Sequence, residues 1–331
     1  MKHLLVCFIS LFILFSCQEQ KVSVSKLNES FGARNEVAIV IEDSLWNNWV
    51  GDSIRKFIVR QADNRLVNEP MFDIVQYSPK IFSAKAKLSR NILAISIDEK
   101  NTFSWQKSVY ASPQNVFYVN ATDSKEIVTN VKKYADSIVN NIRLAELNEE
   151  QHYINRIPTH SDSLFKALIG STIQIPLYYQ LAMYTEEPFL WYQKALPSGD
   201  VNLTFYEFPI DYIERKGGTV IEHILQAKDS VAKNYIKGAK SFSYLMIDSS
   251  FTPMIEKRDY QNIPYYHIQG KWKMMNDFVY GPYILYVFKD DYYKRYLFVE
   301  GFINDTNKPK RDHLMELEAI MQSINFYEDN L

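Results

Sequence analysis

The stretch Tyr283-Ile-Leu-Tyr-Val-Phe288 is apolar at every position. A strand points successive side chains to opposite faces, so Tyr283, Leu285 and Val287 share one face and Ile284, Tyr286 and Phe288 the other. A strand apolar on both faces must be central in its sheet and covered from each side. The chain therefore needs at least three layers around this segment. Glu36–Ile41 (Glu-Val-Ala-Ile-Val-Ile) and Asn91–Ile97 carry the same signature in the first half.

The first half alternates strands with helices. After Glu36–Ile41, Asp43 or Ser44 is placed to cap a helix with Trp46, Trp49, Val50, Ile54, Phe57 and Ile58 on one face. Strands follow at Phe72–Tyr77, Asn91–Ile97 and Asn115–Asn120. Asp123 with Glu126 resembles a capping box. Beyond it Ile127, Val131, Tyr134, Ile138, Ile142 and Ala145 form the stripe of a long helix running to about Glu150. This order predicts an N-terminal α/β layer over residues 34–150.

Residues 151–172 read as a helical connector, and residues 173–331 as a second domain with a different rhythm. Strands are expected at Leu177–Tyr184, Pro188–Ala195 and Asn202–Phe208, joined by short turns. Gly217-Gly218 precedes a helix with Val220, Ile224, Ala227, Val231 and Tyr235 inward. Further strands at Ser243–Asp248, Tyr265–Trp272, Tyr283–Phe288 and Tyr296–Phe302 are closed by a helix carrying Leu314, Leu317, Ile320 and Ile324. The fold class is α+β: an N-terminal α/β layer, then a mostly antiparallel sheet packed with helices. The order of elements in the second half is similar to the PsbP/Mog1-type α/β/α sandwich, an analogy of fold alone.

The first seventeen residues set the compartment. Lys2 precedes an apolar run from Leu4 to Phe15, too short to span a bilayer stably, which reads as a secretion signal over residues 1–16. Leu14-Phe15-Ser16-Cys17 resembles the bacterial lipobox, in which Cys17 becomes a diacylated N-terminus. Residues 17–33 are small and polar and read as a tether. Gln18 is not the Asp that retains some lipoproteins at the inner membrane, so the expected location is the outer membrane, facing the periplasm or the outside.

Cys7 lies in the signal and Cys17 carries the lipid, so the remaining chain has no thiol for a disulfide, a metal or a nucleophile. Of 37 basic residues only Lys2 precedes residue 17, leaving 36 against 39 acidic ones. That balance gives no electrostatic footprint for nucleic acid.

Gly32-Ala-Arg-Asn-Glu-Val37, Leu45-Trp46 and Gly51-Asp-Ser-Ile-Arg55 resemble the opening of the DUF4837 family of uncharacterised Bacteroidetes lipoproteins. Pro188-Phe-Leu-Trp191, Gly270-Lys-Trp272, Gly281-Pro-Tyr283 and Val299-Glu-Gly-Phe302 resemble its second half. The resemblance spans nearly the whole mature chain. It implies an envelope lipoprotein and no known activity.

No motif of catalysis stands out. Ser53-Ile-Arg-Lys56 matches Ser-x-x-Lys, but the same spacing recurs from Ser23, Ser104, Ser163 and Ser230, without Ser-Asp-Asn or Lys-Thr-Gly. No two histidines have zinc-helix spacing, and no cofactor or metal is expected. Glu42, Asp43 and Asp52 lie where α/β sheets bind ligands, at a strand end, though Asp43 is equally a helix cap. His267 is the best single histidine. Gly217-Gly218 before a helix could hold a phosphate, but no Gly-x-Gly-x-x-Gly or Walker pattern accompanies it. Gly270, Trp272, Gly281, Pro282 and Tyr283 form the most suggestive cluster for binding, since glycine admits close approach and the rings offer flat apolar faces, though plain fold geometry, with Gly281-Pro282 as a strand entry, accounts for them as well. The expected function is a membrane-tethered, non-catalytic module that binds an envelope protein or a glycan. The alternative is an envelope hydrolase working through carboxylates or a histidine.

Overall fold

In the computed structural model the described residues are 27–60, 66–306 and 309–326. The signal sequence and Cys17 lie outside them. The first half builds a five-stranded sheet from β1 (Glu36–Val40), β2 (Asp73–Tyr77), β3 (Asn91–Ile97), β4 (Thr102–Lys107) and β5 (Asn115–Ala121), in the order β2-β1-β3-β5-β4. All pairings are parallel except the edge strand β4, which runs antiparallel to β5. Residues 28–31, read above as tether, are held on this body. Asn28–Glu29 pairs with Ala111–Ser112, and Phe31 donates its amide to the Leu88 carbonyl at 2.9 Å. Backbone pairing, which composition does not report, fixes them.

Helix α1 (Trp49–Ile58) is capped by Asn48, whose side chain accepts the Val50 amide. Asp43 is not the cap. It lies in the single turn Asp43–Trp46 and accepts from the Gln76 side chain instead. Helix α2 (Ser124–Ile154) is capped as expected by Asp123, which accepts from the amides of Lys125 and Glu126. It continues one turn past Glu150.

The second half is one eight-stranded antiparallel sheet. Its strands are β6 (Gln180–Thr185), β7 (Phe189–Leu196), β8 (Gly199–Pro209), β9 (Leu245–Ile247), β10 (Met254–Tyr260), β11 (Ile263–Met274), β12 (Tyr280–Asp290) and β13 (Arg295–Asp305). The order is β9-β11-β12-β13-β8-β7-β6, with β10 also pairing β11. Strand β12 is central and buried on both faces, as its sequence requires. Helix α3 (Val220–Tyr235), with a Thr219–Glu222 capping box, covers the face bearing Tyr283, Leu285 and Val287. The opposite face, bearing Ile284, Tyr286 and Phe288, is covered by helix α4 (Lys310–Met321).

Helix α4 packs between that sheet and α2 of the first half. It is consequently buried nearly all round: Leu317, Ala319, Ile320 and Met321 are inaccessible, and Glu316 is 1% exposed. One apolar cluster runs from Val37 and Ile39, through Ile138 and Ile142, to Leu317 and Val299. The two halves thus share a core. The chain is a mixed α+β protein, with a parallel-sheet layer joined to a helix-flanked antiparallel sheet.

Candidate functional site

The residues singled out in sequence fall in four places. Glu42 and Asp52 are exposed on the first half, where Asp52 pairs with Arg55 one turn on. His267 is buried on β11, with its ring edge-on to Tyr286. Among the described residues no hydrogen bond or ion pair joins Glu42, Asp52 and His267. Burial, with the charges of Arg258 and Arg143, pushes the His267 pKa down to about 3. Its 3.6 Å approach to Glu318 is therefore that of a neutral ring. Among the described residues, no three His, Cys, Asp or Glu side chains converge as a metal site.

Trp272, Gly281 and Tyr283 do come together, but under α3 and out of solvent, whereas Pro282, between them on β12, is buried on the opposite face of the sheet. The strand register explains their types. Gly270 pairs across from Tyr283, and Gly281 from Trp272. A Cβ at Gly270 would lie 2.5 Å from Tyr283, and one at Gly281 3.0 Å from the Trp272 indole nitrogen. Gly270 makes room for the Tyr283 ring, while at Gly281 a Cβ would meet the Ile303 carbonyl oxygen first, at 1.9 Å, and the Trp272 ring second. Beside them lies a pair that no motif marked: Lys228 Nζ sits 2.7 Å from Glu300 Oε1, with the two side chains 0% and 2% exposed. Tyr206 donates to the other Glu300 oxygen, and Lys228 lies over the Tyr283 ring, 4.5 Å from its centroid. These groups lock sheet to helix.

A second charged network bolts the halves together. Arg34 holds Glu150 through two bonds of 2.7 Å and reaches Glu316 at 3.3 Å. Lys194 Nζ is 2.7 Å from both oxygens of Glu316. Burial raises the Glu150 pKa to about 7, against the pull of Arg34. Burial acts on Glu316 in the same sense, but Lys194 and Arg34 hold it below the usual carboxylate range. Two carboxylates with acidities pushed apart are the pattern of an acid–base pair. Here all four oxygens are taken by Arg34 and Lys194, so the pair clamps the halves and offers no oxygen to a substrate. A void elsewhere at the junction, lined by Arg143, Arg311 and Glu318 with Asn35, Met71 and Leu314, holds about 30 Å³, room for one water, and touches neither Glu150 nor Glu316.

The edges of the eight-stranded sheet are open to solvent. The two ends of the eight-stranded sheet differ in kind. At one end β11 is flanked by two strands: β9, whose Leu245 and Ile247 amides are taken by the Ile236 carbonyl and Asp229, and β10, which presents Glu256-Lys-Arg-Asp259, the charges by which natural edges resist further pairing. Strand β6, Gln-Leu-Ala-Met-Tyr-Thr, carries no charge and is exposed over nearly its whole length. Leu181 is 38%, Met183 36% and Tyr184 59% exposed, and Leu177 and Tyr178 continue the apolar surface. A register shift opposite Trp191/Tyr192 bends β6 without covering it. Among the described residues no strand pairs with its outer side. The sequence marked this segment as a strand but could not show that it ends the sheet.

Two family models match the chain. One, described as Domain of unknown function (DUF8532), covers residues 30–155, and with it the motifs from Gly32 to Arg55. The other, described as Domain of unknown function (DUF4837), covers residues 159–323, including α4 and both sheet edges. The DUF4837 match thus stops short of the first half, where the resemblance had extended it. No curated protein matches the chain. Through residues 159–323, the segment that builds the whole antiparallel sheet and its closing helix, the chain belongs to the DUF4837 family.

Proposed function

We propose that this protein is a membrane-tethered envelope lipoprotein without catalysis of its own, whose edge strand β6 takes up an extended segment of a protein partner. The observation that carries the reading is the contrast between the two sheet edges. An uncharged edge strand with exposed Leu181, Met183 and Tyr184 offers unpaired main-chain groups, and its side chains give an added strand something to pack on. Exposed apolar side chains along an open, uncharged strand edge are where a partner strand is added. The hydrolase alternative loses its support, because Glu42, Asp52 and His267 sit apart and the perturbed carboxylates are saturated. The tether is inferred from Leu14–Cys17, with the outer membrane as the expected site of the lipid.

A photoreactive residue at Leu181 or Tyr184, in intact cells, tests the reading. It predicts discrete protein adducts from both positions and none from Asp136, an exposed position on α2. It further predicts that Leu181→Lys with Met183→Lys abolishes the adduct at 184. Equal labelling from all three positions would count against it. Mass spectrometry of the amino end tests the tether separately, with a diacylated Cys17 expected.

A further inference from the structure

At the α3 end of the antiparallel sheet two loops are stitched side by side. The 236–244 loop closes on itself through a Gly238 amide to Ser243 carbonyl bond of 3.0 Å, and Met275 donates to the Tyr244 carbonyl at 2.8 Å. That second bond ties the loop to the 275–279 turn between β11 and β12. Three aromatic rings project from this tip: Phe242 is 89% exposed, Phe278 95% and Tyr280 72%. Phe242 also has a φ of 61°, and Asn276 in the facing turn one of 58°. A bulky residue in the left-handed region is uncommon and costs free energy. At Phe242 nothing in the packing offsets that cost, since the ring is directed into solvent.

Lys240 stands against one of these rings, and further lysines lie on the adjoining elements. Lys240 Nζ sits 2.7 Å from Asp277 and 5.8 Å from the Phe278 centroid. Lys233 lies over the Tyr244 ring, and Lys237 bonds the Lys233 carbonyl. Lys273 pairs with Asp248 at 3.4 Å. The neighbourhood thus holds Lys233, Lys237, Lys240 and Lys273 against Asp248 and Asp277. Exposed aromatic rings with lysines nearby match the two layers of a bilayer interface: rings enter the acyl boundary, and lysine stems snorkel to the phosphates.

We infer that the tip formed by Phe242, Phe278 and Tyr280 inserts into the interface of an anionic lipid bilayer. It is a contact separate from the edge strand, and it needs no lipid on Cys17. Together with a tether it would supply the second of the two signals that stable anchoring requires. The tip would also orient the molecule, with the 242 and 278 loops down.

The test is vesicle co-sedimentation of residues 17–331 carrying Cys17→Ser, which keeps every described residue and removes both signal and acylation. The vesicles are phosphatidylethanolamine with phosphatidylglycerol at about three to one, with pure phosphatidylcholine as the uncharged comparison. The proposal expects binding to the anionic vesicles, at least tenfold weaker binding for Phe242→Ser with Phe278→Ser, and retained binding for Phe242→Trp with Phe278→Trp. In the latter variant, brominated lipid should quench the added fluorescence. Because both rings are exposed, all variants should melt with the parent. No binding to anionic vesicles, or binding unchanged in the serine variant, overturns the proposal. Failure of the edge-strand reading would show instead as lost adducts at 181 and 184, with vesicle binding intact.

Discussion

Tyr283 stands directly across from Gly270 on the neighbouring strand, and its ring fills the space that a side chain at 270 would occupy. The nearest ring atoms lie 2.5 Å from where a Cβ would be, closer than real Cβ contacts allow. Trp272 likewise stands across from Gly281, where the Ile303 carbonyl comes closer still to the Cβ position. Aromatic residues paired with glycines across a sheet tighten its packing under a covering helix. Gly270→Ala therefore forces the Tyr283 ring toward Lys228 and α3. Overpacking of this kind costs about 1–3 kcal/mol, and equilibrium denaturation should show a loss in that range. No measurable loss would mean that the ring has free room to move.

Lys228 and Glu300 are a buried ion pair that neither residue can leave alone. Removing one partner strands the other as an uncompensated charge. Lys228→Met should accordingly cost about 3–5 kcal/mol, whereas Lys228→Met with Glu300→Gln should recover most of it. The glutamine still accepts from Tyr206, so that hydroxyl keeps a partner. Chemical denaturation of the three proteins decides the matter. Additive losses in the double variant would show that the two residues act independently.

The clamp at Glu150 gives stability a dependence on pH. Burial keeps a proton on the folded chain's Glu150 up to about pH 7, while the unfolded chain releases it near 4.5. Between those values unfolding releases a proton, so this group makes stability fall as pH rises. Glu146, also raised by burial, acts in the same direction, and Glu316, held low, acts in the opposite one. Glu150→Gln cannot titrate but keeps an acceptor for Arg34. The melting temperature of the variant minus that of the parent should therefore rise between pH 5 and pH 8. A flat or falling difference would contradict the raised acidity constant.

Much of this could be read from residues. The doubly apolar Tyr283–Phe288 segment demanded a central strand with cover on both sides, and received it. The inward stripe of α3, Ile224, Ala227 and Val231, was visible as helical spacing, as was the capping Asp123. Which face α3 covers was not visible, because chain topology sets that. Trp272 and Tyr283 therefore looked like an open binding surface when they are the floor beneath a helix. Strand Met254–Tyr260 was missed because its charged, exposed middle, Glu256–Asp259, leaves no hydrophobic period. Strand Thr102–Lys107 was missed although Phe103 and Trp105 alternate with polar residues, stacking on Tyr134 and Phe117; two apolar positions are a weak signal. Lys228 and Glu300, 72 positions apart, each read as a solvated charge; only the register that brings β13 under α3 pairs them. His267 stood out as a single histidine, but its carboxylate neighbour in space, Glu318, is on a helix that starts some forty residues later and could not be matched to it from sequence.

The claim on which the rest depends is that β6 is an open edge awaiting a strand. Amide hydrogen exchange measures this directly. A partner segment crosslinked at Tyr184 can be identified, synthesised and added to the protein. The account predicts that exchange slows across Gln180–Thr185 on addition of the peptide, with β10 unchanged, and that Leu181→Lys with Met183→Lys loses the effect. Unchanged exchange along β6 with the peptide bound, or protection along β10 in its place, would contradict it.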